Sequence, residues 1–499
     1  MGALIGIDLG TTFSAVATLD ETGRPSIVHN QEGQNITPSC VSLDGPQLVL
    51  VGEVARRAWA SSPKTAAARF KRDMGTSLIH QVGDRSFTPT ELSALVLKKL
   101  LKDAEASIGP VDEAVVTIPA NFANEAREAT MAAATAAGLN VRYIINEPTA
   151  AALYYAFKSG QELHGHYAVY DLGGGTFDVS IIKVSGQQVE VVATNGVVKL
   201  GGDDFDLALH ELVSRKYRSV TGKDLPTRDY TRGDAEEDKK SLSNRRQVLI
   251  DVGGHTVTVT REEFEQVISS RVTQAEMLCE ATLDEANLTA SDIRAVFLAG
   301  GSTRIPAVRD SITRVFRQEP IATANVDEVV ALGAALYVAY RSDRSQLSEV
   351  QRQSIQKIRV SETTSKCFGT LSLATSDATG TQRIENVVLI TKGDKIPCSV
   401  TRTFYTVADG QTQVKCQLTE STAVESDPQF VKVVWSGYLE VPPNRPKEQP
   451  IEVTYAYDDN QIMRCTFVDK VSGRRTDVEL SMTASDKQGL ESVDRFLVE

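Results

Sequence analysis

Two similar glycine-containing segments constrain the fold of this chain more than any other feature. The stretches "LIGIDLGTTFSAVATLD" (4–20) and "YAVYDLGGGTFDVSIIK" (167–183) each run through apolar residues to Asp-Leu-Gly, turn through small residues and a threonine, and continue as an apolar run. A glycine turn after a strand lets backbone N–H groups approach an anion closely, because no Cβ intervenes. We therefore predict two strand–turn–strand units whose turns close on one polyphosphate.

A purely structural role for these turns is the alternative. Gly10 and Gly173 to Gly175 could supply positive φ in ordinary hairpins, and neither turn fits the Walker A or the Gly-x-Gly-x-x-Gly pattern. The matched pair favours phosphate binding nevertheless. Strand-end carboxylates can hold a hydrated divalent cation that bridges phosphates. The side chains predicted to contribute are Thr11, Thr12, Thr176, Asp8 and Asp171.

The composition predicts a multidomain protein without nucleic-acid or membrane partners. A chain of 499 residues is too long for one core. Its net charge of −12 argues against phosphate-backbone binding. The 6 cysteines form no Cys-x-x-Cys pair, which indicates free thiols in a reducing compartment. The chain shows no signal peptide or membrane span, and the expected location is the cytoplasm.

Strand-like and helix-like runs alternate over the first two-thirds of the chain, which is typical of an α/β domain. We predict strands at 115–118 and 295–301, and helices at 124–137 and 327–340. After Arg341 a polar stretch without a clear apolar stripe predicts a connector. Short β-rich runs then predict a small all-β domain, with hairpin turns at Asp409-Gly410 and Asp459-Asn460.

Two further segments are candidates for the same site. "LAGGSTRIP" (298–306) repeats the strand-then-glycine design. In "AEEDKKSLS" (235–243), Glu236, Lys239, Lys240 and Ser243 share one helical face. That face is either a solvated charged surface or a surface that holds a polar ring system by lysine stacking and hydrogen bonds.

Taken together, the motifs resemble those of the DnaK-type 70-kilodalton heat-shock chaperones. The matching words, in the family's order, are "IGIDLGTTFSAVA", "FKRDMG", "AVVTIPANF", "IINEPTAAALYY", "VYDLGGGTFDVSII", "LGGDDFD", "FLAGGSTRIP" and "DEVVALGAAL". The resemblance implies an actin-like two-lobed α/β ATPase domain followed by a small all-β sandwich. The implied divisions are a nucleotide-binding domain at 1–345, a linker at 346–361, a peptide-binding sandwich at 362–482 and a short tail at 483–499.

The resemblance also implies a set of site residues. ATP or ADP is expected with Mg²⁺, and K⁺ as an optional further cation. The implied catalytic residues are Lys71, which positions the attacking water, with Glu147, Asp171 and Thr176. The implied magnesium site comprises Asp8, Glu147 and Asp171. The implied nucleotide-binding residues are Gly10, Thr11, Thr12, Phe13, Gly173, Gly174, Gly175, Thr176, Gly201, Gly202, Glu236, Lys239, Lys240, Ser243, Gly300, Gly301, Ser302, Arg304 and Asp327.

For the sandwich, the resemblance implies binding of unfolded or extended polypeptide by backbone hydrogen bonds and apolar burial. The implied pocket residues are Leu373, Phe404, Val407, Val414 and Cys416, with Thr370 at a position that is usually apolar. Apolar residues alternate in any sandwich, so a core role for these residues stays open. The residues implied to couple the domains are Pro119, Arg127, Ile358 and Val360. The expected protein is a monomer with J-domain and nucleotide-exchange partners.

Four departures from the family pattern affect the expected coupling between domains, the J-domain contact and the release of peptide. In "KIRVSE", Arg359 and Ser361 interrupt the aliphatic linker, which removes about half of its apolar surface. Tyr143 replaces the arginine that the family offers to a J-domain, which argues against that contact. The segment after Lys71 is shortened, and "TASDKQGLESVDRFLVE" is too short for the family's helical lid. We therefore expect a lidless chaperone with rapid peptide release.

Three functions compete at this point. The first is an ATP-hydrolysing chaperone without a lid. The second is a regulatory co-chaperone that binds ATP and hydrolyses it weakly or not at all, which the interrupted linker favours. The third is a sugar or metabolite kinase on the same two-lobed fold, in which the β-domain has no role.

Overall fold

The chain forms two compact units in a computed structural model. The structure describes residues 2–159, 163–186, 188–226, 228–322, 325–375, 382–458, 462–478, 490 and 493–499. The first unit comprises Met1–Val360 together with Thr483–Glu499, and the second comprises Ser361–Met482. The predicted linker at 346–361 thus belongs almost wholly to the first unit.

The first unit alternates strands and helices along most of its length. Its strands are β1 Ala3–Asp8, β2 Phe13–Leu19, β3 Pro25–Val28, β4 Thr37–Pro38, β5 Cys40–Leu43, β6 Leu48–Val51, β7 Ala66–Ala68, β8 His80–Val82, β9 Arg85–Phe87, β10 Val111–Ile118, β11 Val141–Asn146, β12 Leu163–Leu172, β13 Phe177–Gly186, β14 Gln188–Val197, β15 Gln247–Val252, β16 His255–Thr260 and β17 Ile293–Ala299. Its helices are α1 Glu53–Ser61, α2 Pro89–Ile108, α3 Asn124–Ala136, α4 Glu147–Lys158, α5 Gly202–Thr221, α6 Arg232–Asn244, α7 Arg261–Glu285, α8 Pro306–Phe316, α9 Val329–Arg341 and α10 Glu349–Ile355.

Two sheets in this unit repeat one arrangement. Strand β1 pairs antiparallel with β2 and parallel with β10, and β12 pairs antiparallel with β13 and parallel with β17. The strand orders are β11-β10-β1-β2-β3 and, within this unit, β17-β12-β13-β14. Each of the two glycine turns therefore joins the strands of a hairpin, at corresponding edges of two similar sheets.

Helices α4 and α9 share one apolar core with both sheets. At Gly333 an added Cβ would lie 1.8 Å from the carbonyl oxygen of Ala150, and at Gly6 it would lie 2.2 Å from the backbone nitrogen of Ala335. Only glycine allows backbones to approach this closely. The two helices are thereby held directly behind the strands that lead to the glycine turns.

The strands and helices predicted for this unit are confirmed. The strand at 115–118 lies in β10 and the strand at 295–301 corresponds to β17. The helix at 124–137 is α3, which Gly138 follows with φ of 85°, and the helix at 327–340 corresponds to α9. All 6 cysteines are free, and all but Cys398 are buried. Among the described residues, no helix has the length and apolarity to cross a membrane.

The second unit is a β-sandwich, as predicted. After β18 Arg359–Thr363 its strands are β19 Cys367–Thr375, β20 Gln382–Ile390, β21 Lys395–Ile396, β22 Cys398–Tyr405, β23 Gln413–Ser421, β24 Lys432–Glu440, β25 Pro450–Tyr457, β26 Met463–Asp469 and β27 Arg475–Val478. Its two sheets have the orders β20-β19-β23-β24 and β22-β25-β26-β27. Their inner faces enclose a core with buried Phe368, Leu418, Tyr455 and Phe467.

One predicted hairpin is wrong. Asp409-Gly410 does form a turn, with φ of 69° at the glycine, but it follows β22 of one sheet and precedes β23 of the other. Turn chemistry sets the local backbone and does not choose the pairing partner. The second hairpin, Asp459-Asn460, lies outside the described residues, although the strands on either side, β25 and β26, pair antiparallel.

The predicted connector after Arg341 is instead part of the folded first unit. A 3₁₀ turn at Arg344–Gln346 and helix α10 bring Leu347, Ile355 and Ile358 into the shared core, where each is buried. Val360 packs against the same core, and Arg359 between these two side chains is exposed. The arginine therefore points away from the buried face and does not interrupt it.

Candidate functional site

A cleft of about 840 Å³ collects nearly all of the predicted nucleotide residues. The predicted residues that line it are Asp8, Gly10, Thr11, Thr12, Phe13, Lys71, Glu147, Asp171, Gly173, Gly174, Gly175, Thr176, Gly202, Glu236, Lys239, Lys240, Ser243, Gly300, Gly301, Ser302, Arg304 and Asp327. Gly201 lies directly behind the second glycine turn, since an added Cβ there would be 2.6 Å from the carbonyl carbon of Gly174.

The two glycine turns face each other across this cleft. An added Cβ at Gly174 would lie 1.8 Å from Thr12 Oγ1, and one at Gly175 would lie 2.4 Å from Thr11 Cγ2. Thr12 Oγ1 is buried and makes no hydrogen bond within the described part of the chain. The opposed turns thus bring small residues and an unused hydroxyl to one small volume, and a polyphosphate requires such a close approach to backbone and hydroxyl donors.

Two buried serines hold the first turn in shape. Ser14 Oγ accepts a hydrogen bond from the backbone N–H of Gly10 at 3.2 Å, and Ser39 Oγ donates to the carbonyl oxygen of Gly10 at 2.7 Å. The two hydroxyls are 2.9 Å apart. These serines could not be predicted from the sequence, because isolated hydroxyls beside a turn have no distinguishing pattern.

Four charged side chains lie at the base of the cleft. Lys71, in a 3₁₀ turn at Phe70–Asp73, places its Nζ 2.5 Å from Oε1 of Glu147, and both side chains are buried. Burial, with the nearby Glu147 charge, raises the pKa of Asp8 to about 7 although Lys71 opposes it. Burial and the same glutamate raise the pKa of Asp171 well above its ordinary value. Such a cluster of buried carboxylates calls for a compensating cation.

These carboxylates suit a magnesium ion that keeps its water. Carboxylate oxygens are the ligands that Mg²⁺ prefers, and the ion usually retains several waters. In the described residues no group of three or more His, Cys, Asp or Glu side chains converges closely enough to bind a cation directly. Asp8, Glu147 and Asp171 nevertheless line one cleft, and the pKa values of Asp8 and Asp171 are raised, so contact through coordinated water fits this donor set.

We expect the apoprotein to lose stability as the pH rises from about 4 to 8. Burial raises the pKa of Asp8 to about 7 and that of Asp178 to about 8, whereas the unfolded chain releases these protons near pH 4. The folded state binds more protons in this window, so the free energy of unfolding falls with increasing pH. Thermal unfolding without nucleotide or magnesium measures this slope. Asp8→Asn should flatten it, and an unchanged slope in that variant would contradict the assignment.

Helix α6 supplies one wall of the cleft. It begins with a capping box between Thr231 and Asp234. Lys239 Nζ donates to the carbonyl oxygen of Gly202 at 3.1 Å and pairs with Asp206 at 2.6 Å. Glu236 is held by Lys240 at 2.9 Å and by Arg56 at 2.7 Å. Although burial opposes it, these cations lower the pKa of Glu236. The face is therefore a partly buried, ordered wall rather than a freely solvated surface.

The third glycine turn forms the opposite wall. Gly300 has φ of 80°, and an added Cβ there would lie 2.4 Å from the carbonyl oxygen of Leu172. Ser302 Oγ donates to the carbonyl oxygen of Gly173 at 2.9 Å, and Arg304 donates to Asp327 at 2.9 Å. The turn is thereby fastened to the second phosphate-facing turn.

Two arginines that the sequence analysis did not single out connect the sides of the cleft. Arg72 donates to the carbonyl oxygen of Gly174 at 3.2 Å and to Asp204 at 2.8 Å. Arg56 on α1 reaches Glu236 on α6, and its guanidinium lies 5.2 Å from the ring centre of Phe13. Arg72 directly follows Lys71 in "FKRDMG", and that adjacency is the only sequence signal for it.

The residues implied to couple the domains fall into two groups. Arg127 is fully buried and donates to the carbonyl oxygens of Ala120 and Phe122 and to Asn146 Oδ1. It thereby ties the loop that begins at Pro119 to the residue before Glu147. The second group, Ile358 and Val360, packs against the core behind the cleft.

The implied peptide-binding residues of the sandwich differ in exposure. Leu373 and Val407 are exposed, at 41% and 56%. Phe404 and Val414 are partly buried and pack against the core. Cys416 is 1% exposed and belongs to the core cluster, and its implied place in the pocket stays a prediction. Its side chain faces inward because strand residues alternate between the two faces of the sheet.

Tyr143, which stands where the resemblance implies a J-domain-binding arginine, is covered by another side chain. The guanidinium of Arg341 lies 3.9 Å from the ring centre of Tyr143 and 5.9 Å from that of Tyr337. A guanidinium is thus present beside Tyr143, but that of Arg341 is stacked on the two aromatic rings.

Comparison with known proteins agrees with the geometry of the cleft. The family model described as Hsp70 protein matches residues 4–82 and 77–498 of the chain. The match extends from the first strand through the glycine turns and the whole sandwich to the last residues.

Proposed function

This chain belongs to the Hsp70 protein family, and we propose that it binds and hydrolyses ATP in the cleft of its first unit and binds extended polypeptide on its sandwich. Members of this family are ATPases that bind ATP or ADP with Mg²⁺, and they act as chaperones with J-domain and nucleotide-exchange partners. The observation that carries the proposal is the opposition of two glycine turns over the buried Lys71–Glu147 pair.

In this proposal the turns bind the phosphates and the charged base of the cleft acts on the attacking water. Backbone N–H groups of the two turns, with Thr11, Thr12 and Thr176, bind phosphate oxygens. The Lys71 ammonium is held by Glu147, and it orients the attacking water and offsets negative charge on the terminal phosphoryl group. Magnesium held through Asp8, Glu147 and Asp171 supplies charge neutralisation on the phosphates.

The nucleoside is proposed to lie between α6 and the third glycine turn. The stems of Lys239 and Lys240 provide stacking surface, while Glu236 and Ser243 provide hydrogen bonds. Gly300 to Arg304 and Asp327 face the other side. The test of the enzymatic proposal is single-turnover conversion of ATP to ADP by the stoichiometric complex. Intact ATP after hours in the wild-type complex would overturn it.

Polypeptide binding is proposed for the exposed apolar side chains of the sandwich. We expect Leu373→Ser and Val407→Ser each to weaken binding of a fluorescent leucine-rich peptide about tenfold, because burial of such a side chain contributes about 1.5–3 kcal/mol. Val471→Ser is the matched control, since Val471 is 64% exposed and lies in the same unit. Fluorescence anisotropy measures the affinities. Equal losses in all three variants would contradict a localised site.

We also propose that the chain from Met1 to Glu499 releases bound peptide rapidly. Of the residues after Val478, those that the structure describes at 493–499 form a 3₁₀ turn and a short strand in the first unit. They are not a helix that could cover bound peptide. A dissociation rate as slow as that of a lidded relative in ADP would contradict this proposal.

A regulatory co-chaperone that binds ATP without rapid turnover is the second candidate. Tyr143 stands where the family has an arginine, and the Arg341 guanidinium stacks on its ring at 3.9 Å; this favours the second candidate, because a J-domain would need a different contact here. Addition of a J-domain protein to a steady-state ATPase assay separates the two, and stimulation would favour the chaperone. The kinase alternative leaves the matched sandwich without a role. The free cysteines favour a reducing compartment such as the cytoplasm.

A further inference from the structure

The last described residues, 493–499, which we call the tail, return to the first unit and extend one of its sheets. Residues Leu497–Val498 form strand β28, which pairs parallel with β6. The backbone N–H of Leu497 donates to Gln47 and that of Glu499 donates to Val49, each at 2.9 Å. The backbone N–H of Val51 donates in turn to the carbonyl oxygen of Glu499 at 2.7 Å. The tail is therefore a true strand of this sheet.

Side chains hold the tail as specifically as its backbone does. Val493, Phe496 and Val498 are 1%, 4% and 5% exposed, whereas Leu497 between them is 70% exposed. The ring of Phe496 lies 5.8 Å from that of Phe87, and the Arg85 guanidinium is 5.2 Å from its centre. One face of the tail is thus fully packed.

Two lysines of α2 complete the binding of the tail. Lys98 Nζ donates to the carbonyl oxygens of Val493 and Phe496 at 3.4 and 3.2 Å, and Lys102 Nζ donates to that of Val498 at 2.9 Å. Backbone pairing, alternate apolar burial and capped carbonyl groups are the features of a peptide bound by strand addition. Here the bound segment belongs to the chain itself.

The sheet that receives the tail also carries the side of the cleft around Lys71. Its strand order is β28-β6-β5-β7. Strand β6 leads into α1, whose Arg56 pairs with Glu236. Strand β7 leads to Arg69, which pairs with Asp203 at 2.9 Å, and then to Lys71. The tail therefore adds an edge strand to the sheet from which these cross-cleft contacts extend.

We propose that the tail is a second connection between the sandwich and the ATPase cleft, which transmits the nucleotide state to the C-terminal end of the sandwich. The sandwich lies in the chain between β18 and the tail, and both of these segments enter the first unit. A rearrangement of the sheet on nucleotide binding moves β6 and the tail strand paired with it. The inference rests on the proposed nucleotide binding, but the docking of the tail does not.

Docking is tested first, in the full chain without nucleotide. We expect Phe496→Ser to speed hydrogen–deuterium exchange of the Val51 amide about tenfold or more, because its acceptor on the tail is lost. Leu497→Ser is the matched control and should leave this exchange unchanged. Equal exchange in the Phe496 variant and the wild type would overturn tail docking.

Transmission is tested by cutting the connection while the tail stays docked. A protease site is inserted between residues 482 and 490, and exchange of the strands at 463–478 is compared with saturating ADP and with a non-hydrolysable ATP analogue. In the uncut chain we expect the exchange rate of these strands to differ between the two nucleotides. After cleavage this difference should fall to half or less. The same difference after cleavage, or no difference before it, would overturn the proposal. Calorimetric binding of both nucleotides, measured in parallel, separates this failure from a failure of nucleotide binding.

Discussion

Lys71→Ala is expected to slow single-turnover conversion of ATP to ADP by about 10²–10³-fold, the cost of removing one group that stabilises charge in a transition state. Lys71 also lowers the pKa of both Asp8 and Asp171 against the stronger effect of burial. Its loss raises these pKa values further, so magnesium-dependent ATP binding should weaken most at low pH. Rapid quenching and separation of the nucleotides measures the rate.

The folded state of this variant needs its own control. Removing one partner of a buried ion pair costs about 3–5 kcal/mol, so Lys71→Ala is compared with Lys71→Arg, which keeps the positive charge. We expect the arginine variant to retain its melting temperature more closely and still to lose hydrolysis, because a planar guanidinium cannot take the place of the ammonium. Arg57→Ala, at an exposed position on the neighbouring α1, should hydrolyse normally. Wild-type rates in both Lys71 variants would remove the lysine from the mechanism.

The phosphate-facing turns could be predicted because their signal is local and is repeated. The pattern predicts a hairpin with a small-residue turn, because Asp-Leu-Gly lies between two apolar runs. Two copies of the pattern suggest two facing sites. Lys71 had no such signal. It lies in a short polar motif, "FKRDMG", without periodicity. Its burial results from a 3₁₀ turn that places it beside Glu147, 76 positions away in sequence. Only the resemblance to a family identified it.

The segments that sequence patterns missed are those with few apolar residues. Leu347, Ile355 and Ile358 are too widely spaced to form a visible stripe, yet each is buried in the shared core. In the tail, Val493 lies in a 3₁₀ turn, Phe496 comes directly after it, and Val498 lies in a strand. Neither helical nor strand periodicity therefore describes the spacing of these three residues. Sparse apolar residues become informative only when the tertiary surface that receives them is known.

The strongest structural test of the paired turns is Gly174→Ala. An added methyl group would lie 1.8 Å from Thr12 Oγ1 and 2.8 Å from Thr12 Cβ, so the turns must separate to accommodate it. We expect ATP affinity to fall at least about 100-fold, since the hydrogen bonds of one turn no longer reach the phosphates bound by the other, and charge-assisted bonds contribute about 1.5–3 kcal/mol each. Isothermal titration calorimetry measures the affinity.

Gly233→Ala separates a local clash from a general effect of replacing glycine near the cleft. Gly233 lies in the first turn of α6, where an added Cβ would have its nearest contact at 3.5 Å, so it fits without displacement and favours the helix. This variant should bind ATP as the wild type does and melt at the same or a slightly higher temperature. If Gly174→Ala binds ATP equally well, the two turns do not close on one phosphate chain. Their facing geometry would then serve only to pack the two hairpins together, and the hairpin alternative that the sequence left open would be correct.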